Sequence, residues 1–135
     1  SKSAMQWYAQ ANHLAPLSAE FSNKYANVLA SSGDIQTAKK IFTSTTIEHP
    51  EYAPAYSNLG FLILSSEGNI PKALELYEKA LALDPDYEQG LLNMAGVMAM
   101  QKDFDAATKY LKRVLKKNPA NAQAKAAMIQ LSKMK

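Results

Sequence analysis

The sequence predicts an all-α fold in which about eight helices stack in consecutive pairs. Three observations predict it. Pro16, Pro50, Pro85 and Pro119 are separated by 34, 35 and 34 residues. Ala4, Ala38, Ala73 and Ala107 keep the same beat, and a bulky residue and then a smaller one follow each at fixed spacing: Tyr8 and Ala11, Phe42 and Thr45, Tyr77 and Ala80, Leu111 and Val114. No segment shows the two-residue alternation of a half-buried strand. A fixed period in this range marks stacked supersecondary units, and such arrays present a surface rather than a reactive centre.

Each period reads as two helices. In the middle unit Tyr56, Leu59 and Ile63 follow helical spacing, and Glu67-Gly68-Asn69 ends it. Gly68 suits the left-handed backbone that follows a helix, and Asn69 suits the N-cap of the next. Pro71 falls in the first turn, where its missing N–H costs little. Leu74, Tyr77 and Leu81 continue the apolar stripe until Asp84-Pro85, where the residue before proline is pushed out of the helical region. Gly33-Asp34 and Lys102-Asp103 make the same break in the flanking units, with Asp34 and Asp103 as N-caps. The expected helices lie at about 3–14, 18–31, 35–48, 53–66, 70–83, 87–100, 104–117 and 121–134. The first helix of the middle unit is expected to run one residue longer, because that unit has the extra residue.

Small residues recur where helices must approach. Ala26, Gly60 and Ala95 hold equivalent places in the first helices, and Ala38, Ala73 and Ala107 in the second. Gly60 costs about 1 kcal/mol relative to alanine in a helix interior, so close approach there is expected to outweigh that. The last helix carries Ile129 at the equivalent place, which suggests that the array ends there.

The phase divides the chain into a half unit (1–18), three full units (19–52, 53–87 and 88–121) and a terminal helix (122–135). The series opens at Ala4, inside the second half of a unit. That reads as a piece of a longer protein or a processed form. The exposed ends, with Met5, Trp7 and Tyr8 at the first helix, suggest self-association through the terminal helices.

These residues resemble the tetratricopeptide repeat. That family has an aromatic, then Leu-Gly, then Tyr in the first half of its unit, and small, aromatic, small, Pro in the second. Tyr56, Leu59, Gly60, Ile63, Ala73, Tyr77, Ala80 and Pro85 stand at those places. Ser22 and Leu91 replace the first aromatic, Thr45 a small alanine, and Leu111 an aromatic. The resemblance implies a right-handed superhelix of helix pairs whose first helices line a concave groove. It also implies a scaffold or adaptor that binds peptides or helices there. On that geometry the groove shows Asn23, Asn27, Asn58, Phe61, Leu64, Ser65, Leu92, Gly96 and Met100. Leu64, Leu92 and Met100 either face the groove or pack between adjacent helices.

The family's carboxylate clamp for chaperone C-terminal tails asks for Lys and Asn, then Asn, then Lys and Arg. The matching places hold Asn23 and Asn27, then Asn58, then Gln89 and Asn93, so every cation is missing. A neutral amide makes no charge-assisted hydrogen bond to a carboxylate, and chaperone-tail binding is therefore expected to be absent.

No catalytic constellation is expected, and no cofactor or metal. His13 and His49 lie near the ends of second helices, where they suit the dipole. No phosphate-cradling glycine loop is present. Helical spacing puts Met94 and Met98 in the core. The absence of cysteine excludes a disulfide framework, and no apolar run reaches the ~18–20 residues that span a bilayer. The compartment is left open.

The net charge of +3 is uneven: residues 101–135 hold nine Lys/Arg and two Asp/Glu, whereas residues 1–100 hold six and ten. Most such runs are solvated helix faces. The reading is a non-catalytic protein–protein interaction module. One alternative is a basic surface for nucleic acid or acidic membrane, through Lys109, Lys112, Arg113, Lys116 and Lys117. These have only Tyr110 as an interleaved aromatic, which disfavours nucleic acid. Another is a helical appendage of a larger enzyme.

Overall fold

The computed structural model describes residues 2–14 and 18–134. Pro16, which figures in the sequence reading, lies outside the described residues. Eight helices follow in order. They are α1 (Lys2–Leu14), α2 (Ala19–Ser31), α3 (Ile35–Glu48), α4 (Ala53–Glu67), α5 (Ile70–Leu83), α6 (Glu88–Met100), α7 (Phe104–Lys117) and α8 (Ala122–Met134). The packed pairs are α2 with α3, α4 with α5 and α6 with α7, and each pair rests on the next through α3–α4, α5–α6 and α7–α8.

Local chemistry sets the edges. Asp34, Asn69 and Asp103 accept hydrogen bonds through their side chains from the backbone N–H of Thr37, Lys72 and Ala106. Each thereby satisfies a donor that the helix cannot. Asn121 caps α8 in the same way, accepting from Ala124 N–H at 2.8 Å. Within each pair the turn needs one left-handed residue. Gly33 and Gly68 supply it in the first two pairs and Lys102 in the third, at φ 63°, where an L side chain costs about 1–2 kcal/mol. At 15 residues α4 exceeds α2 and α6, with 13 each, in line with the extra residue of the middle unit.

The core is a ribbon running between pairs. The bulky series Tyr8, Phe42, Tyr77 and Leu111 is buried throughout, as are Ala26, Ala38, Ala73, Ala95 and Ala107. Thr45 fits a small-residue place because its hydroxyl donates to Ile41 O at 2.8 Å. Gly60 is where a side chain would not fit: a β-carbon there would lie 2.7 Å from Tyr77 Cε1 and 3.3 Å from Ala73 O. Met94 is buried and Met98 half-buried against it.

The first pair departs in one respect. Tyr56 donates its hydroxyl to Pro50 O at 2.9 Å, tying α4 to the end of α3. Ser22, one unit earlier, is too short for that. Tyr8 of α1 reaches it instead, with 2.7 Å between the two hydroxyl oxygens.

Candidate functional site

The first helices α2, α4 and α6 lie side by side, and side chains of the proposed groove tie them together. Asn58 Nδ2 donates to Asn23 Oδ1 at 3.1 Å. One unit later Asn93 Nδ2 donates to Ser57 Oγ at 2.8 Å, while Gln89 Nε2 donates to Asn93 Oδ1. The same cross-link thus joins α4 to α2 and α6 to α4. The periodic places then pass to Leu92 and Ala127, which carry no polar side-chain atom.

Two clefts open on this face. The first, of about 290 Å³, lies among α2, α3 and α4, with Asn27, Ser31, Asn58, Phe61 and Ser65 in its lining. The second, of about 210 Å³, lies among α6, α7 and α8 and is lined mainly by apolar groups, among them Leu92, Gly96, Ala99, Leu131 and Met134.

The expected groove residues divide accordingly. Asn27, Asn58 and Phe61 come together at the first cleft, and Phe61 is 57% exposed. Asn23 is buried and engaged with Asn58. Leu92 is buried and lines the second cleft. Leu64 is half-buried and packs against the central cluster that contains Tyr77 and Val97. Met100 is exposed. Sequence reasoning did not anticipate the second cleft as a separate feature. Its signal was the pair of small residues Gly96 and Ala99, where the middle unit has Phe61 and Leu64.

The basic third is partly engaged with the protein itself. Arg113 donates to Pro85 O at 2.6 Å and lies over the Tyr110 ring, and Lys117 pairs with Asp86 at 3.4 Å. Trp7 is half-exposed and rests against Tyr25 and Phe21, while Met5 is half-buried and Tyr8 buried. Among the described residues no group of three or more His, Asp or Glu side chains is placed to hold a metal ion, and no helix is long and apolar enough to cross a membrane.

Paired helices of this period and packing define a helical-repeat array. Two tetratricopeptide repeat family profiles match residues 24–88 and 64–131; the chain belongs to the tetratricopeptide repeat family. It is 27% identical to Hsp70-Hsp90 organizing protein 1 of Glycine max over 114 residues, covering 84% of this chain and 20% of that one. It is 32% identical over 85 residues to a probable biofilm formation methyltransferase of Pseudomonas putida, covering 63% of this chain and 20% of that one. The chain thus spans about a fifth of the length of these relatives. In structure it is similar to the first TPR of Spaghetti bound to the HSP90 peptide SRMEEVD, with a TM-score of 0.79 at 18% identity over 86% of this chain and 94% of that one. It is also similar to the Arabidopsis OM64 TPR domain, with a TM-score of 0.77 at 19% identity over 87% and 96%. The superhelix of helix pairs expected from the sequence is therefore the fold.

One expectation is corrected. The exclusion of chaperone tails does not stand, because the Spaghetti domain, which shares this fold, is solved holding such a peptide. The exclusion rested on charge at single positions and not on the shape of the face. Neutral amides at Asn23, Gln89 and Asn93 make a carboxylate contact weaker, since charge-assisted bonds are about twice as strong as neutral ones. They do not close the groove. Asn27 and Asn58, the two places that agree with the clamp, line one cleft.

Proposed function

We propose that the face formed by α2, α4 and α6 is a protein-interaction groove that takes a peptide or helix of a partner and performs no chemistry itself. Asn23, Asn27, Asn58, Phe61, Leu64, Leu92 and Met100 belong to this groove. Phe61 carries the reading: a large aromatic stands more than half exposed beside a cleft, on the face where the first helices meet. Phe61 adjoins the apolar lining of Ala30, Ile35 and Leu62, and contiguous exposed apolar surface of this kind marks a partner site. The division at 1–18, 19–52, 53–87, 88–121 and 122–135 belongs to the same reading.

The test is the affinity of a partner peptide for the wild type and for Phe61→Ala. Covering an aromatic is worth roughly 1.5–3 kcal/mol, so the variant is expected to bind tenfold or more weakly with an unchanged melting temperature. Equal affinity would move the binding surface elsewhere. The peptide SRMEEVD belongs among those tested. If it seats at the amide cleft, Asn27→Ala weakens it.

A second reading is favoured by the relative whose name is that of a methyltransferase. In it the array is the interaction arm of a larger enzyme, and the full-length gene sequence tests it directly.

A further inference from the structure

The two clefts are one feature seen twice. Advancing two units along the sequence carries Asn27 onto Gly96, Ala30 onto Ala99 and Leu62 onto Leu131, and each of these residues lines its own cleft. In the unit between, Phe61 and Leu64 stand at the first two of those places, and Leu64 packs into the central cluster. The face therefore alternates: a cleft, a bulky ridge, a cleft. Gly96 strengthens the contrast, because a β-carbon there would meet nothing within 4 Å. Neither lining contains a charged side chain, which matches uncharged groups at both seats. The same face carries side-chain amides: Asn27 and Asn58 line the first cleft, and Asn93 and Gln89 are joined to each other.

Resting on the groove reading above, we propose that the occupant is an extended peptide with two apolar side chains, one for each cleft. Adjacent packed helices lie about 8–10 Å apart, so clefts two first helices apart are separated by about 16–20 Å. At about 3.3 Å per residue, an extended chain covers that distance in about six residues, an even step that turns both side chains to the same face. An extended backbone leaves its N–H and C=O groups in need of partners, and the side-chain amides of this face, Asn27, Asn58, Gln89 and Asn93, can supply them. A helix satisfies those groups internally and has no use for such a lining.

The experiment is selection of a random linear peptide library displayed on phage against this chain, followed by affinities for wild type, Ala30→Leu and Ala99→Leu. Each substitution enlarges a cleft-lining alanine to the leucine that the middle unit holds at Leu64, and urea unfolding of each variant checks that the fold is kept. The selected peptides are expected to share two apolar positions about six residues apart, on one face of the extended chain. Each variant is expected to lower their affinity about tenfold or more. In the unmodified chain, a selected peptide is expected to shift the methyl resonances of both Ala30 and Ala99. Peptides with a single apolar position, with helical i, i+3, i+4, i+7 anchors, or indifferent to both variants would overturn the two-anchor inference. The groove reading would survive that outcome if Phe61→Ala still weakened them. Selected peptides indifferent to Phe61→Ala as well would overturn both.

Discussion

Replacing Gly60 by alanine tests how closely α4 and α5 are pressed together. The added carbon would stand 2.7 Å from Tyr77 Cε1 and 2.9 Å from Tyr77 Cδ1. Unstrained carbon pairs sit at about 3.5–4.0 Å, so the ring must retreat by about 1 Å. It has little room to do so, because Tyr77 is fully buried in one cluster with Met94 and Val97. Overpacking of this kind costs about 1–3 kcal/mol, and the locked ring argues for the upper half of that range. Alanine recovers about 1 kcal/mol of helix propensity, which leaves a net loss of about 1–2 kcal/mol. Gly96→Ala is the internal control. It gains the same propensity and meets no neighbouring atom, so it is expected to stabilise by up to about 1 kcal/mol. Urea unfolding of both variants beside the wild type reads the difference. A Gly60→Ala midpoint at or above that of the wild type would refute the packing argument.

Two further outcomes follow from buried hydroxyls. Tyr8→Phe leaves the buried Ser22 hydroxyl without its 2.7 Å partner and is expected to cost about 1 kcal/mol or more in the same assay. The affected unit is the N-terminal one, so exchange protection should fall in α2 before α6. Burial pushes the Tyr77 phenol up to about 12. Because this folded value lies above the ordinary one of about 10, the native state holds the proton more tightly. The resulting stability is complete below about pH 10 and declines as pH rises towards 12. Tyr77→Phe should flatten that decline when urea midpoints are compared across the alkaline range. An equally steep loss in the variant would assign it to other groups.

Much of this arrangement could be read before any coordinates. The breaks at Gly33-Asp34, Glu67-Gly68-Asn69 and Lys102-Asp103 are local events, each decided by one left-handed residue and one cap, and the helices begin and end within a residue or so of the expected places. The crossing at Gly60 was legible for a similar reason, since only a strong packing demand keeps glycine inside a helix. The binding face was harder. Leu64 and Leu92 sit on the boundary between groove and core, and helical periodicity alone gives one direction for both. Which way each turns depends on its neighbours: Leu64 meets Tyr77 across the pair, whereas Leu92 looks onto Ala127 and Gly96. The pairing of Tyr8 with Ser22 was invisible for another reason. A serine at an aromatic place reads as a loss until the ring that compensates for it is found on a different helix.

The side-chain bonds between first helices also say how the array yields. Asn58 to Asn23 and Asn93 to Ser57 rivet α4 to α2 and α6 to α4 midway along their length. At the last junction the described side-chain bonds lie at the edge, where Asn121 and Asn118 donate to the Glu88 carboxylate. Beyond that first turn, the places at which the earlier helices bond hold the apolar Leu92 and Ala127. Met134, at the far end of α8, lines the second cleft. Local opening starts where such ties are fewest, so exchange protection is expected to be lower in α8 than in α4.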